Sequence, residues 1–290
     1  MLGASLLGVE EGVLPGRSRL FHTLRLDGPD GVVPAVDAGP RVSGSFVSRA
    51  RGGRRSGWTI GYPPGQGGAR LPVVVVLHGH GADHAAVFAD RYLAIGRFQA
   101  AAVVDGAEPF AVAAVDGGNS YWHPRASGED AGAMVLDELL PLLAGRGLDV
   151  TRPAFLGWSM GGYGALRLAG LRGADRVAGV GALSPALFRS FADTSPGSFD
   201  DAADLADATV LARQRSLDGI PVRVDCGEGD PFYAAVATYL DGFERRPAGG
   251  FERGDHDVGY WRRMLPAQLR FLADALASGR VGASRGEGQP

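Results

Sequence analysis

The sequence contains no lysine, a single cysteine and no long apolar run. All of its basic side chains other than histidine are arginines, and 32 acidic residues against 29 arginines give a formal net charge of -3. This balance provides no field that would attract nucleic acid or an acidic substrate, so we expect neither as a partner. No apolar run approaches the roughly 18 residues that a membrane span needs, so we expect no transmembrane segment.

The single cysteine, Cys226, excludes an intrachain disulfide and does not identify the redox compartment. We predict that it lies at the end of a buried strand. Residues 1–9 resemble the last part of a signal peptide without its basic start, and a frayed apolar N-terminus is the alternative. The sequence therefore leaves localisation open between secretion or the cell envelope and the cytoplasm.

Length and composition predict one folded domain. A chain of 290 residues, 45% of them apolar, can bury one large core. Glycine, proline and aspartate without a sustained period predict an irregular lead-in over residues 1–40. We expect the folded domain to cover 41–277 and a polar, glycine-rich tail over 278–290 to be disordered.

Alternating strand and helix patterns predict an α/β fold, with a mostly parallel sheet covered by helices on both faces. Buried strands are predicted at 72–77, 110–115, 152–156, 177–184 and 221–226, and helices at 128–145, after Ser159, at 232–245 and at 260–277. The connection over 185–220 is too long for a tight loop and has little strand pattern. We predict that it is a helical excursion that caps a pocket.

Two more strands, 42–48 and 57–62, are predicted to form an antiparallel hairpin at one edge of the sheet. The loop between them carries four arginines, Arg49, Arg51, Arg54 and Arg55. A patch for nucleic acid or anionic lipid is one interpretation of this loop. We favour a solvated hairpin tip that discourages pairing at the sheet edge.

Ser159 is the candidate nucleophile. It stands in Gly157-Trp158-Ser159-Met160-Gly161, between an apolar strand pattern and a helix of small residues. With 46 glycines in the chain such a match is weak by itself, and the strand and helix on either side support it. A serine on a sharp strand-to-helix turn needs small residues two positions away on both sides.

A serine hydroxyl needs a base, and the base needs a third group that orients it. The α/β-hydrolase fold supplies these residues in the chain order serine, acid, histidine. His256 is the only histidine after Ser159, so we predict that it is the base. Asp230, in the loop after the penultimate strand, is the best candidate for the acid, with Asp225 and Glu228 as alternatives.

The oxyanion of an acyl-transfer intermediate needs backbone N–H donors. We predict one donor at Met160, the first residue of the helix after Ser159. The other is expected in the turn after the 72–77 strand, from His80 or, as second choice, Gly81. For the imidazole of His78 we favour a packing or hydrogen-bonding role.

A zinc site is a competing interpretation of this same turn. His78, His80 and His84 resemble the His-x-His-x-Asp-His motif of metallo-β-lactamase-type hydrolases, although the spacing is one residue too long. Further ligands would be His123 and His256, and the turn around Ser159 would then be unexplained. We therefore favour the serine mechanism over a metal site.

Four motifs in order resemble the putative-esterase branch of the α/β-hydrolases, which includes esterase D, feruloyl esterases and secreted mycolyltransferases. They are His78-Gly79-His80-Gly81, Gly157 to Gly162, Cys226 to Phe232, and His256 with Tyr260 to Pro266. The resemblance covers about residues 42–277. It implies acyl transfer through a serine ester, with Ser159, His256 and Asp230 in the roles given above. The resemblance implies neither a metal nor an organic cofactor.

The resemblance leaves the substrate and the acyl acceptor open. We expect a serine carboxylesterase acting on a small ester; the alternatives are an acyltransferase that passes the acyl group to a sugar or another alcohol, and a non-catalytic binding protein. The loop 116–123 and the 185–220 excursion are expected to shape the pocket. We predict that Trp158, Tyr121 and Trp122 contact substrate, with core or rim packing as the alternative for Tyr121 and Trp122. The oligomeric state is not predicted.

Overall fold

The computed structural model describes Thr23 and residues 27–286, with side chains as far as Ser278. Its centre is an eight-stranded sheet in the order β1-β2-β4-β3-β5-β6-β7-β8. The strands are β1 Arg41–Ser48, β2 Arg54–Gly61, β3 Pro72–Leu77, β4 Ala111–Val115, β5 Asp149–Trp158, β6 Val180–Leu183, β7 Val222–Gly227 and β8 Ala248–Glu252.

The sheet is mostly parallel, as predicted. β1 pairs with β2, and β2 with β4, in antiparallel fashion, whereas the pairs from β4 through β8 are all parallel. Parallel strands place their carboxyl ends at one edge, and residues that follow β3, β4, β5, β7 and β8 therefore meet there. The predicted site residues come from these loops.

Helices cover both faces of the sheet. They are α1 His84–Phe88, α2 Ile95–Val104, α3 (residues 131–145), α4 Met160–Arg172, α5 Ala202–Ala208, α6 Tyr233–Asp241 and α7 Val258–Gly286. α3 consists of an α-helical turn at Ala131–Ala133, a π-helical stretch at Met134–Leu139 and an α-helix at Leu140–Gly145. Among the described residues, no helix combines the length and apolar character required to cross a membrane.

β3 shows why the sheet is buried on both sides. Val73 and Val75 pack into the core beneath α3, α4, α5 and α6. Val74 and Val76 pack into the core beneath α1, α2 and α7. Successive side chains of a strand point to opposite faces, so a continuous valine run serves two cores.

Two elements differ from the prediction. β8 was not predicted, because its sequence, Ala-Gly-Gly-Phe-Glu, has no strand pattern and the strand depends on pairing with β7. The last helix continues to Gly286, so the expected disordered tail is helical over 278–286 and its remainder lies outside the described residues. The prediction for residues 1–9 also lies outside them, and residues 27–40 contain no helix or strand.

The 185–220 segment contains α5 and two short 3₁₀ helices, Phe191–Asp193 and Gln214–Leu217. It contacts the region of Ser159: the Ala186 N–H donates to the Ser159 carbonyl at 3.0 Å. The helical character agrees with the prediction. The function as a cap stays a prediction.

The arginine loop is not solvated throughout. Arg51 is only 5% exposed, and its guanidinium donates to Glu129 Oε1 at 2.8 Å, to Ser56 Oγ at 2.8 Å and to the Asp116 carbonyl at 2.7 Å. The prediction of a solvated tip was therefore wrong for Arg51. This arginine fastens the hairpin to the loop after β4, a contact between distant segments that no local pattern indicates.

Candidate active site

Ser159 lies on a sharp turn between β5 and α4. Its backbone has φ 54° and ψ -124°, a conformation that is uncommon outside glycine and is seen where the surrounding structure imposes it. A Cβ on Gly157 would collide with the carbonyl oxygen of Gly161, and one on Gly161 would collide with that of Leu77. The two glycines are therefore required by the close approach of strand and helix.

Three predicted residues meet beside this turn. His256 Nε2 lies 2.9 Å from Ser159 Oγ, and His256 Nδ1 lies 2.8 Å from Asp230 Oδ2. Asp230 is 1% exposed, while 22% of the His256 side chain reaches the surface. With an ionised Asp230, the Nδ1–H donates to the carboxylate and a neutral ring keeps Nε2 as an acceptor for the serine hydroxyl.

Backbone contacts hold the acid and the histidine in place. The Phe232 N–H donates to Asp230 Oδ1 at 2.8 Å, leaving Oδ2 for the imidazole. The Gly229 N–H donates to the Gly254 carbonyl at 2.8 Å, which joins the acid loop to the histidine loop. The rings of Phe232 and Trp261 lie edge-on to His256, each with its centroid 5.2 Å away.

Asp225 does not take the position of the acid. Arg223 binds its carboxylate with two hydrogen bonds, at 2.8 and 2.9 Å, and Gln268 Nε2 donates to it at 2.9 Å. Burial raises the pKa of Asp225, although the Arg223 and Gln268 hydrogen bonds oppose this rise. At Glu228 the backbone N–H bonds to the Glu252 carbonyl. Of the three candidate acids, Asp230 is the one with a hydrogen bond to His256.

Two backbone amides near Ser159 are candidate oxyanion donors. Met160 begins α4, so its N–H has no acceptor within the helix. The turn Gly79–Ala82, which carries His80, follows β3, and a Cβ on Gly79 would lie 2.6 Å from Trp158 Nε1. The Gly81 N–H donates to Asn119 Oδ1 at 2.8 Å. Because the Gly81 N–H already has this acceptor, the His80 N–H is the better candidate for the oxyanion donor in this turn.

His78 has the packing role that we favoured. It is 1% exposed, and its ring connects two loops: Nδ1 lies 2.8 Å from the Gly79 carbonyl, and Nε2 accepts the Gly117 N–H at 3.0 Å. These partners fix the Nδ1–H tautomer. Burial lowers the pKa of His78, outweighing the opposing effect of the Gly79 bond, and so favours a neutral ring.

The aromatic residues expected to contact substrate are buried. Trp158 is 1% exposed, Trp122 is 0% exposed and Tyr121 is 3% exposed. Trp158 packs against Tyr92 and Trp261, while Tyr121 packs in an aromatic cluster with Tyr163, Phe188 and Phe199. In this structure all three contribute to the core, which is the alternative given for Tyr121 and Trp122; contact with substrate stays a prediction.

The histidines of the zinc alternative do not converge. His84 Nδ1 lies 2.8 Å from Thr59 Oγ1, and His123 Nε2 lies 3.1 Å from Asp204 Oδ2. His78 has both ring nitrogens hydrogen-bonded to backbone. Within the described part of the chain, no three histidine, cysteine or acidic side chains are grouped so that they could hold a metal ion. The donor set that this alternative requires is therefore not assembled.

Comparison with protein families identifies the group to which the chain belongs. Residues 50–272 match the model of the family described as "Putative esterase", well over half of the chain. The chain belongs to this esterase family. Membership makes the protein a hydrolase of carboxylic esters, in agreement with the predicted activity.

Solved structures share the fold of this esterase. A ferulic acid esterase superposes with a TM-score of 0.70 at 19% identity, covering 82% of this chain and 100% of that one. S-formylglutathione hydrolase from Agrobacterium tumefaciens gives 0.67 at 19%, covering 83% and 97%, and MPT51 (FbpC1) of Mycobacterium tuberculosis gives 0.63 at 19%, covering 82% and 100%. Comparison with curated protein sequences finds no match.

The sequence analysis did not predict the contacts of two side chains near the candidate site, Arg51 and Asn119. The loop 116–123 was expected to shape the pocket, but nothing local indicates that Asn119 bonds to Gly81, 38 residues earlier. Arg51 stood among exposed hairpin arginines in the prediction, and its partner Glu129 lies 78 residues away. Only the folded chain reveals these contacts.

Proposed function

We propose that this esterase cleaves carboxylic esters through Ser159, His256 and Asp230, by way of an acyl-enzyme. The observation that supports the proposal is the unbroken pair of hydrogen bonds from Ser159 Oγ through the imidazole to Asp230. The strained backbone of Ser159 adds support, because strain of this kind is typical of a nucleophile elbow.

In the first half of the reaction, Ser159 Oγ attacks the ester carbonyl carbon while its proton passes to His256 Nε2. Asp230 orients the ring and stabilises the imidazolium without taking the proton. The tetrahedral intermediate collapses, the carbon–oxygen bond to the alcohol breaks, and His256 returns the proton to the departing oxygen. The product is the alcohol, and the acyl group remains on Ser159.

In the second half, water takes the place of the alcohol. His256 accepts a proton from the water as its oxygen attacks the acyl carbon, and then returns that proton to Ser159 Oγ as the acid leaves. During both steps the N–H groups of Met160 and His80 donate to the carbonyl oxygen as it becomes negative. Removing one such donor typically costs about 10²–10³ in rate.

A cavity beside the His80 turn offers space for a small ester. His80 and Gly81 form one side, and the small side chains of Ala85, Ala86 and Ala89 leave room within it. Ala82, Asp83, Arg91 and Tyr92 complete the lining. We propose this cavity as the place for one half of the ester.

Acyl transfer to a sugar or another alcohol remains the second candidate. It uses the same residues as far as the acyl-enzyme and differs only in the molecule that attacks it. Product analysis with trehalose or other polyols present distinguishes the two. Acylated polyol at the expense of free acid would establish transfer, and free acid alone would count against it.

The test of the proposal is the Ser159→Ala variant, assayed on short p-nitrophenyl esters. The rate should fall by about 10³-fold or more, with an unchanged melting temperature. Ser184→Ala is the matched control, because Ser184 is also buried at the end of a neighbouring strand and its hydroxyl has no hydrogen-bond partner in the described structure. A wild-type rate in Ser159→Ala would refute the proposal, and loss of that rate with a chelator would favour the zinc alternative.

A further inference from the structure

The turn that carries His80 is a tight β-turn over Gly79–Ala82. The Ala82 N–H donates to the Gly79 carbonyl at 3.1 Å, and Gly81, the third residue, has φ +74°. A positive φ at the third position is the mark of a type II turn. In such a turn the central peptide, here between His80 and Gly81, is the group whose rotation converts type II into type I.

Asn119 bonds to this central peptide. The Gly81 N–H donates to Asn119 Oδ1 at 2.8 Å. The acceptor has to be the side-chain oxygen, because the amide nitrogen of asparagine only donates. The central peptide therefore has a partner in one of its two orientations and loses it in the other. Asn119 is also the only asparagine in the sequence.

Other contacts between the same two loops lie at the ends of the turn. His78 Nε2 accepts the Gly117 N–H at 3.0 Å before the turn, and Asp116 Oδ1 accepts the His84 N–H at 2.7 Å after it. Neither contact reaches the peptide between His80 and Gly81. Among the described hydrogen bonds, the one that joins loop 116–123 to the middle of the turn is the bond from the Gly81 N–H to Asn119 Oδ1.

The turn packs against the residues on both sides of Ser159. A Cβ on Gly79 would lie 2.6 Å from Trp158 Nε1, and one on Gly161 would lie 2.7 Å from the His78 carbonyl. The His80 N–H belongs to the Gly79–His80 peptide, which shares the His80 Cα with the central peptide, so a displacement of the turn moves this N–H relative to the nucleophile. Donors that are already oriented stabilise an oxyanion better than donors that must reorganise during the reaction.

We propose that Asn119 is a positioning residue, which fixes the central peptide of the Gly79–Ala82 turn and so holds the His80 N–H ready for the oxyanion. This inference rests on the proposed function, since it assumes that the His80 amide is an oxyanion donor. Asn119 acts through the turn and need not touch the substrate. Its effect should therefore appear in the transition state and not in substrate binding.

The test compares Asn119→Ala with wild type on a p-nitrophenyl ester and with a trifluoromethyl ketone, whose serine adduct carries an oxyanion. We expect kcat to fall about 10-fold with KM within twofold, a smaller loss than that of a whole donor. The Ki of the ketone should rise by the factor by which kcat/KM falls. Rates are expressed per active site, titrated with a fluorophosphonate.

Asp149→Ala is the matched control. Asp149 Oδ1 also accepts a backbone N–H, that of Thr151 at 3.0 Å, but at the start of β5, the opposite end of the strand from Ser159. The control should keep the kcat and Ki of wild type. An unchanged kcat in Asn119→Ala, a raised KM with unchanged kcat, or a loss equal to that of Asp149→Ala would each overturn the inference.

Failure of the inference is distinct from failure of the proposed function. If wild type shows hydrolysis that depends on Ser159 and Asn119→Ala matches it, only the positioning role is wrong. If Ser159→Ala keeps the activity of wild type, the proposed function fails whatever Asn119 does. Both variants are measured in the same assay.

Discussion

Asp230 Oδ2 lies 2.8 Å from His256 Nδ1, whereas Asp225, five residues earlier on the same strand and loop, has its carboxylate bound by Arg223. Both aspartates are buried, with 1% and 3% of their surface exposed. Burial therefore does not distinguish the two aspartates. Their hydrogen-bond partners do, since Asp230 bonds to His256 and Asp225 to Arg223. This difference gives a direct way to test the proposed catalytic role of Asp230 against a structural role of Asp225.

Asp230→Asn should lower kcat by about 10³–10⁴-fold, because an amide no longer holds the histidine tautomer that accepts the serine proton. Asp225→Asn is the matched variant. It should change the urea midpoint of unfolding while leaving kcat per folded molecule near wild type. Equal losses of kcat in the two variants would contradict the assignment of Asp230.

The close approach of strand and helix at Ser159 predicts how alanine at two glycines, Gly161 and Gly145, changes stability. Gly161→Ala should destabilise the protein by about 1–3 kcal/mol or more, because its Cβ would collide with the Leu77 carbonyl. Gly145→Ala is the contrasting change: Gly145 ends α3 without a positive φ, and its Cβ would meet nothing within 4 Å. Alanine there should stabilise by about 0.4–1 kcal/mol. Urea unfolding measures both, and similar effects of the two changes would refute the steric account.

The buried arginine of the hairpin gives a third prediction. Arg51→Ala should cost about 3–5 kcal/mol of unfolding free energy, because Glu129, whose side chain is only 14% exposed, would lose its closest cation. Arg54 also contacts Glu129, at 3.5 Å, but its side chain is 67% exposed. Arg54→Ala should therefore cost no more than about 1 kcal/mol. Equal costs in chemical denaturation would show that burial of Arg51 is unimportant.

These cases show which parts of the site can be predicted from sequence. Ser159 is predictable because its glycine neighbours and the flanking strand and helix patterns are local. His256 and Asp230 follow from chain order, since His256 is the only later histidine and Asp230 follows a predicted strand. Each prediction needs only short-range pattern or order.

The remaining features depend on contacts between distant segments. The Asn119 bond to Gly81 spans 38 residues, and that of Arg51 to Glu129 spans 78. Trp122 was expected to contact substrate as part of loop 116–123, with packing as the alternative, and in the fold it packs where Gly117 and Gly164 leave room. Such details follow from the way loops pack and not from residue type.

The buried His78 predicts a dependence of stability on pH. Burial lowers its pKa in the folded state below the ordinary value of 6.5, so between the two values the unfolded chain binds more protons. This contribution to stability is complete above pH 6.5 and is lost as the pH falls toward the lowered pKa of the folded state. His78→Gln, which keeps an acceptor for Gly117, should lose less unfolding free energy than wild type between pH 7.5 and 5.5. An equal or steeper loss in urea titrations of the variant would contradict this.

The most direct test of the account is covalent labelling with a fluorophosphonate, followed by peptide mapping in a mass spectrometer. The account predicts one label per chain, on Ser159, with labelling greatly slowed in His256→Ala and absent in Ser159→Ala. An unlabelled protein that still hydrolyses esters, or a label on another residue with Ser159 unmodified, would contradict it.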